Sequence, residues 1–437
     1  MATQDITTRS TTASSVSILP TPSYARPLAI VTTLFFMWGF LTSLNDILAP
    51  HLRSIFDLSY TRAMLVQFAF FSAYFLFSWP WSKIVNIIGY QRSMVAGLLT
   101  MTAGAFLFIP AASAASFSLF LTALIILAAG ITGLQVAANP YVVVLGKPQT
   151  ASSRLDLTQA FNSLGTTIGP KIGGLLILSA APLALEQLRQ LAPQALQLYR
   201  VQEAASVKLP YTVIGIALLL LAVLIGASTL PRIETASPRA GEKGGDTMWK
   251  HPSLMLAAIG IFAYVGAEVS IGSFLVNYFG LPEIRGLSAK TAAGFVSFYW
   301  GGAMIGRFLG AGILRRVKAG YVLAFCAIAA ATLVTVSMLV GGYSAMWTIL
   351  AVGLFNSIMF PTIFSLGEAE LGPLTGSGSG ILNMAIAGGA IVPLTVGAMA
   401  DRVGLHHAFV IPVVCYLYIL YYGLRGSRPN SERYASA

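Results

Sequence analysis

Long apolar runs alternate with short polar ones along this chain. Twelve of the runs are long enough to cross a bilayer, at 27–50, 62–89, 93–112, 117–146, 157–180, 209–230, 252–280, 290–316, 320–340, 345–371, 377–400 and 405–424. A spanning helix needs about 20 predominantly apolar residues, so the pattern predicts twelve membrane helices with short connections. Two interruptions are longer. Residues 181–208 are rich in Gln and Leu and read as an interfacial helix, and 231–251 carry Pro, Gly and four basic residues. The second divides the spans six from six. The expected organisation is a disordered cytoplasmic tail (1–26), a six-helix half (27–230), a cytoplasmic linker (231–251), a second half (252–425) and a short cytoplasmic tail (426–437).

Composition agrees with this reading: 56% of the 437 residues are hydrophobic and 9% charged, against about 25% charged in a soluble globular chain. The net charge of +11 is therefore taken as topology rather than as a nucleic-acid surface. With the N-terminus inside, sixteen Lys and Arg fall on the inner side and eight on the outer, Lys171 and Arg307 lying within spans to complete the twenty-six. That bias places both termini in the cytoplasm. Cys326 and Cys415 both lie in apolar segments, which suggests neither a disulfide framework nor a Cys-based metal site.

The chain also repeats itself. The segment from Asn139 to Gly146 in span four resembles that from Phe360 to Gly367 in span ten, with Pro140 and Pro361 aligned. Gly165, Pro170 and Gly174 of span five match Gly388, Pro393 and Gly397 of span eleven, and Asp46 of span one matches Glu268 of span seven. These offsets agree to within two residues, the signature of a duplicated unit. The fold class expected is an all-α membrane protein of twelve transmembrane helices in two pseudo-symmetric halves. In such an architecture a substrate binds near the midplane between the halves, which rock to give alternating access. Pro and Gly within spans four, five, ten and eleven either bend the helices for that motion or permit close packing.

Ionisable side chains inside a bilayer are costly and mark function by default. Asp46, Lys171, Glu268 and Arg307 are the four singled out. Trp38, Thr42 and Asp46 follow at steps of four and share a helix face. A carboxyl with restricted water suits the taking up and release of a proton, although a structural pairing of Asp46 with His51 or Arg53 fits the spacing too. Glu268 suits proton coupling, a sodium site or a static ion pair. Lys171 reads as a counter-charge or a snorkelling side chain, and Arg307 as a gating or structural cation.

Uncharged polar residues bear on the cargo. Gln159, Asn162, Ser163 and Thr166 line one face of span five. Gln135 and Asn139 do so in span four, and Asn356 of span ten stands 221 residues beyond Gln135. An amide-lined cavity with an aromatic plane such as Trp38 fits a neutral polyhydroxylated solute, a sugar, the alternative being amide hydrogen bonds between helices. Such a cavity is too polar for a multidrug exporter. A membrane enzyme is disfavoured because His51, His251, His406 and His407 all lie at span ends or loops, with no metal-binding pair or phosphate loop.

At these residues the chain resembles the fucose/proton symporter family of the major facilitator superfamily, and within it the glucose/galactose transporter branch, over nearly everything from Phe35 to Arg425. The markers are Leu44-Asn45-Asp46 with Pro50, the stretch from Gln135 to Tyr141, that from Gln159 to Thr167, that from Tyr264 to Glu268, and that from Pro361 to Gly367. The resemblance implies monosaccharide uptake across a bacterial inner membrane, with Asp46 in coupling and Gln159 and Asn162 on the sugar. The fucose-permease pattern has an acid where this chain has Gln135, Asn at Ser43, Gln at Glu268 and Tyr at Phe360, departures that resemble the glucose/galactose branch.

The expectation is thus a hexose importer working by cation symport. Asp46 and Glu268 carry coupling, and Trp38, Gln135, Asn139, Gln159, Asn162 and Asn356 contact sugar. No cofactor is needed beyond the coupling ion, H⁺ or Na⁺. The partners are a monosaccharide and the bilayer, with no nucleic acid, and the chain acts as a monomer. A permease for L-fucose or another deoxyhexose, or a sodium-coupled symporter, is the alternative; a non-transporting sugar sensor is a third reading.

Overall fold

The apolar runs fold as helices. A computed structural model describes residues 24–56, 60–177, 191–231, 251–287, 289–369 and 371–427. Most of both expected tails and of the linker lies outside the described residues, as do the side chains of Asp46 and Lys171. The spans are α1 (Ala25–Phe56), α2 (Tyr60–Ile88), α3 (Tyr90–Ser113), α4 (Phe117–Val144), α5 (Ala151–Ile177), α6 (Lys208–Ala227), α7 (Pro252–Gly280), α8 (Ala289–Ile313) and α9 (Ala319–Leu339). Three broken ones follow, α10 (Gly342–Glu368), α11 (Thr375–Val403) and α12 (Leu405–Gly426). Nine of the twelve are long and apolar enough, among the described residues, to cross a membrane; α2, α5 and α8 complete the set. Within the stretch read as interfacial, Pro193–Ala205 is a short helix leading into α6.

Helix pairing follows the sequence repeat. In the first half α1 packs on α5, α2 on α4, α3 on α4 and α3 on α6; in the second, α7 packs on α11, α8 on α10, α9 on α10 and α9 on α12. Adding six to each label of the first set gives the second. The main contacts between halves obey the same rule, α5 on α8 and α2 on α11. Outward faces are apolar: Leu220 and Val223 of α6, Phe325 of α9 and Leu394 of α11 are all more than half exposed, as lipid contact requires.

Glycines seat the tightest crossings, and the repeat conserves their positions. A Cβ on Gly165 would lie 2.3 Å from the carbonyl oxygen of Phe36, and one on Gly388 would lie 2.1 Å from that of Phe262. Membrane helices gain packing where small residues let backbones approach, and here α1 rides on α5 as α7 rides on α11.

The repeated prolines act through the carbonyl four residues earlier, which loses its helical donor. Pro140 frees the oxygen of Val136, and Ser379 Oγ of α11 donates to it at 3.1 Å. Pro361 frees the oxygen of Ser357, at the break in α10, and Arg307 Nε of α8 donates to it at 3.1 Å. In the first case a backbone vacancy in one half becomes a bond to the other half.

Candidate functional site

The polar residues predicted for the first half converge. Gln135 Nε2 donates to the Tyr74 hydroxyl at 2.8 Å, and the Trp38 indole faces that same hydroxyl. Gln159 Nε2 reaches Asn139 Oδ1 at 3.5 Å, and Asn162 Nδ2 donates to the Phe35 carbonyl at 2.9 Å. All of these side chains are buried. Two groups are left over: Gln135 Oε1 and Asn139 Nδ2 have no partner among the described residues. One acceptor and one donor, both buried, are what a hydroxyl-bearing ligand satisfies, because a buried polar group without a partner costs about 1–3 kcal/mol. The Asn162 amide, by contrast, already ties α5 to α1.

Asn356 is placed differently. It packs within the second half, where Nδ2 donates to the Tyr299 hydroxyl at 2.8 Å and Oδ1 has no partner among the described residues. This repeats the Gln135–Tyr74 bond at the matching place in α10 and α8. Around it stand Tyr264 and Glu268 of α7 and Tyr416 of α12, whose charges and hydroxyls act on one another. The Tyr264 hydroxyl faces the Glu268 carboxyl, and the Tyr416 hydroxyl faces the Asn356 amide. Sequence reading missed Tyr74, Tyr264, Tyr299 and Tyr416. The available signal was weak: Tyr264 precedes Glu268 by four residues and so shares its face.

The halves are joined at the end of the bundle where segment 232–250 connects them. Ser152 and Ser365 share a hydroxyl bond at 2.6 Å, and Ser153 Oγ donates to the Ala311 carbonyl at 2.6 Å. Ser82 Oγ donates to the Gly376 carbonyl at 2.9 Å, and Asn86 Nδ2 to Ser377 Oγ at 2.9 Å. Arg307 crosses as well, bonding Ser163 Oγ while holding the Ser357 carbonyl of its own half. This linker-end seam is closed by short neutral side chains, with Arg307 as its charged member among these bonds.

Two buried acids at this end were not singled out from sequence. Asp156 is fully buried, Glu368 nearly so, and none of their four carboxyl oxygens has a partner among the described residues. The apolar pattern starts span five at residue 157, whereas α5 begins at Ala151. Its polar first turns, with Ser152, Ser153 and Asp156, look unfit for lipid but are covered by the other half. Glu368 lies within the predicted span ten, 345–371, and is not among the four ionisable residues singled out there.

Comparison with known proteins agrees with this architecture. The Major Facilitator Superfamily profile matches residues 30–393. The chain is 51% identical over 406 residues to the glucose/galactose transporter of Brucella abortus biovar 1 (strain 9-941), covering 93% of this chain and 95% of that one. It is 35% identical to the L-fucose-proton symporter of Escherichia coli (strain K12), covering 91% and 92%. The crystal structure of FucP in the outward conformation superposes with a TM-score of 0.87 at 34% identity, over 93% of this chain and all of that one. These relatives are membrane transporters, not enzymes. A duplicated twelve-helix bundle, a profile match over most of the chain and these full-length likenesses together make this chain a member of the Major Facilitator Superfamily.

Proposed function

We propose that the protein imports a monosaccharide, glucose or galactose, by proton symport with alternating access. The observation that carries this reading is the pair of buried, unpartnered amide groups on Gln135 and Asn139 beside Trp38 and Tyr74, in a chain half identical to a glucose/galactose transporter. Trp38, Gln135, Asn139, Gln159, Asn162 and Asn356 contact the sugar, and Asp46 and Glu268 carry the ion. The two halves, 27–230 and 252–425, rock about the substrate. Both termini face the cytoplasm of a bacterial inner membrane, and the chain works as a monomer. The closed linker-end seam, together with the likeness to an outward conformation, supports reading the structure as open on the opposite, outer side.

Uptake of radiolabelled glucose, galactose and fucose into proteoliposomes, with proton and sodium gradients imposed separately, tests the proposal. Accumulation of glucose or galactose under a proton gradient is expected. Accumulation under sodium alone replaces the ion, fucose-only uptake replaces the sugar, and no uptake of any sugar removes the reading. The fucose alternative is kept because of the 35% identical fucose symporter. For Asp46, loss of sugar-induced alkalinisation in Asp46→Ala is expected, and normal uptake with unchanged pH dependence removes it from coupling.

A further inference from the structure

Gln135 and Asn139 stand one turn apart on α4, and the carbonyl between them that Pro140 leaves without a helical donor is that of Val136. A turn lacking that bond holds its side chains less firmly. Its donor comes from the other half: Ser379 Oγ of α11 reaches the Val136 oxygen at 3.1 Å, and both residues are fully buried. The hydroxyl is itself held in place. Asn383 Nδ2, one turn along α11, donates to the Ser379 carbonyl at 2.9 Å and to Ser379 Oγ at 3.3 Å. An oxygen that accepts from Asn383 has its own hydrogen free for Val136.

This bond depends on the linker-end seam being shut. Ser379 sits between Gly376, whose carbonyl accepts from Ser82 Oγ at 2.9 Å, and Gly380, where an added Cβ would lie 2.7 Å from Ser82 Cβ. The turn of α11 that reaches α4 is thus the one pressed against α2, and parting the halves here takes Ser379 away from Val136. We infer that Ser379 is a positioning residue for the sugar site: it completes the Pro140 turn of α4 while the seam is closed and abandons it when the seam opens, so that Gln135 and Asn139 hold sugar more tightly from the outer face than from the inner one. The inference rests on the proposed sugar site and alternating access, and it adds to them a means of release. The amides themselves need not change. Affinity falls because the backbone that aims them loses a bond, and groups fixed before the ligand arrives bind it at lower ordering cost than groups that must be fixed with it.

A donor from either source should serve, which a packing role for Ser379 does not predict. Ser379→Ala removes the donor from the closed state. Pro140→Ala/Ser379→Ala supplies one from within α4, an N–H four residues beyond Val136 that persists through the cycle. The full-length protein is placed in right-side-out membrane vesicles, and counterflow of radiolabelled galactose gives its half-saturating concentration at the outer face with the inside saturated, and at the inner face with the outside saturated. In the parent the outer value is expected to be about three- to tenfold the lower, the range of one neutral hydrogen bond. Ser379→Ala is expected to raise the outer value to the inner one and to leave the inner one unchanged. The double variant is expected to return the outer value to the parent's and to bring the inner value down to it. Equal values at the two faces of the parent, a parent-level outer value in Ser379→Ala, a rise at both faces, or a defect in Ser379→Ala that the double variant does not repair would each overturn the inference. A parent that shows no galactose counterflow would remove the transport reading itself, and this inference with it.

Discussion

Arg307 occupies the carbonyl that Pro361 vacates. Its Nε donates to the Ser357 oxygen at 3.1 Å, four residues before the proline, while another guanidinium nitrogen bonds Ser163 in the opposite half. A proline in α10 therefore fixes, at one remove, a contact made by α5. The break in α10 and Arg307's share of the seam both trace to one covalent feature, the missing N–H.

Pro361→Ala returns that N–H and sets it in competition with Arg307 for the Ser357 oxygen. With one acceptor contested, Arg307 is held less firmly against Ser163 and the linker-end seam loosens. A reporter thiol at Ser365→Cys, in a Cys326→Ser/Cys415→Ser background, reads this directly, because Ser365 is buried in the seam against Ser152. Labelling by a membrane-impermeant maleimide is expected to accelerate several-fold when Pro361→Ala is added. Equal rates with and without the substitution would show that the proline does not govern the seam.

The glycine crossings make a paired prediction. A methyl group on Gly165 or Gly388 meets a carbonyl oxygen at little over 2 Å, so Gly165→Ala and Gly388→Ala must each push two helices apart. Overpacking of this kind costs about 1–3 kcal/mol. Both variants are expected to melt several degrees lower than the parent in detergent, and by similar amounts, because the crossings are repeats of one another. Gly294 offers the control, having nothing within 4 Å of an added Cβ. Gly294→Ala should not lower the melting temperature, since alanine favours helix over glycine, and a fall equal to that of the other two would mean that crossing distance was not what was being measured.

The fold was legible because lipid imposes a simple rule: a spanning segment is apolar for about 20 residues, and the chain repeats that pattern twelve times. Pairing by halves was visible in Pro140 with Pro361 and Gly165 with Gly388, positions where the backbone itself is constrained. The site was legible only in part. Gln135 and Asn356 stood out as amides in apolar surroundings, but their partners Tyr74 and Tyr299 did not, since a tyrosine in a span resembles an interfacial anchor. Asp156 was hidden for a different reason. Its segment is polar because the other half, rather than lipid, covers it, and no local hydropathy pattern distinguishes that cover from water.

The mirrored amide–tyrosine bonds separate binding from packing. Gln135→Ala removes the acceptor that the proposed function offers to the sugar and also leaves the Tyr74 hydroxyl without its donor. A lost hydrogen bond of about 1–1.5 kcal/mol corresponds to roughly a tenfold rise in KM. Tyr74→Phe keeps the amide but frees its orientation, so a smaller rise, two- to threefold, is expected from initial rates of galactose uptake. A KM unaffected by Gln135→Ala would take Gln135 off the sugar and leave it as an interhelical tie.

Arg154 closes the turn between α4 and α5. Its Nε donates to the Val142 carbonyl at 3.2 Å, Nη2 to that of Val143 at 2.7 Å and Nη1 to that of Lys147 at 2.7 Å. Val142 and Val143 lie in the last turn of α4, where carbonyls have no helical donor, and Gly146 follows with φ +106° to reverse the chain. The guanidinium fork satisfies three oxygens at once, a geometry that a single ammonium cannot copy. Arg154→Ala is expected to lower stability by about 3 kcal/mol, since bonds to a charged donor contribute about 1.5–3 kcal/mol each and water replaces part of them here. Arg154→Lys is expected to recover less than half of that loss. Because the same turn sets where α5 begins, the positions of Ser152, Ser153 and Asp156 in the seam depend on it, and Arg154→Ala should also speed maleimide labelling of the Ser365→Cys reporter. Melting temperature and labelling rate that both remain at parent values would show that the α4–α5 turn holds its shape without the arginine.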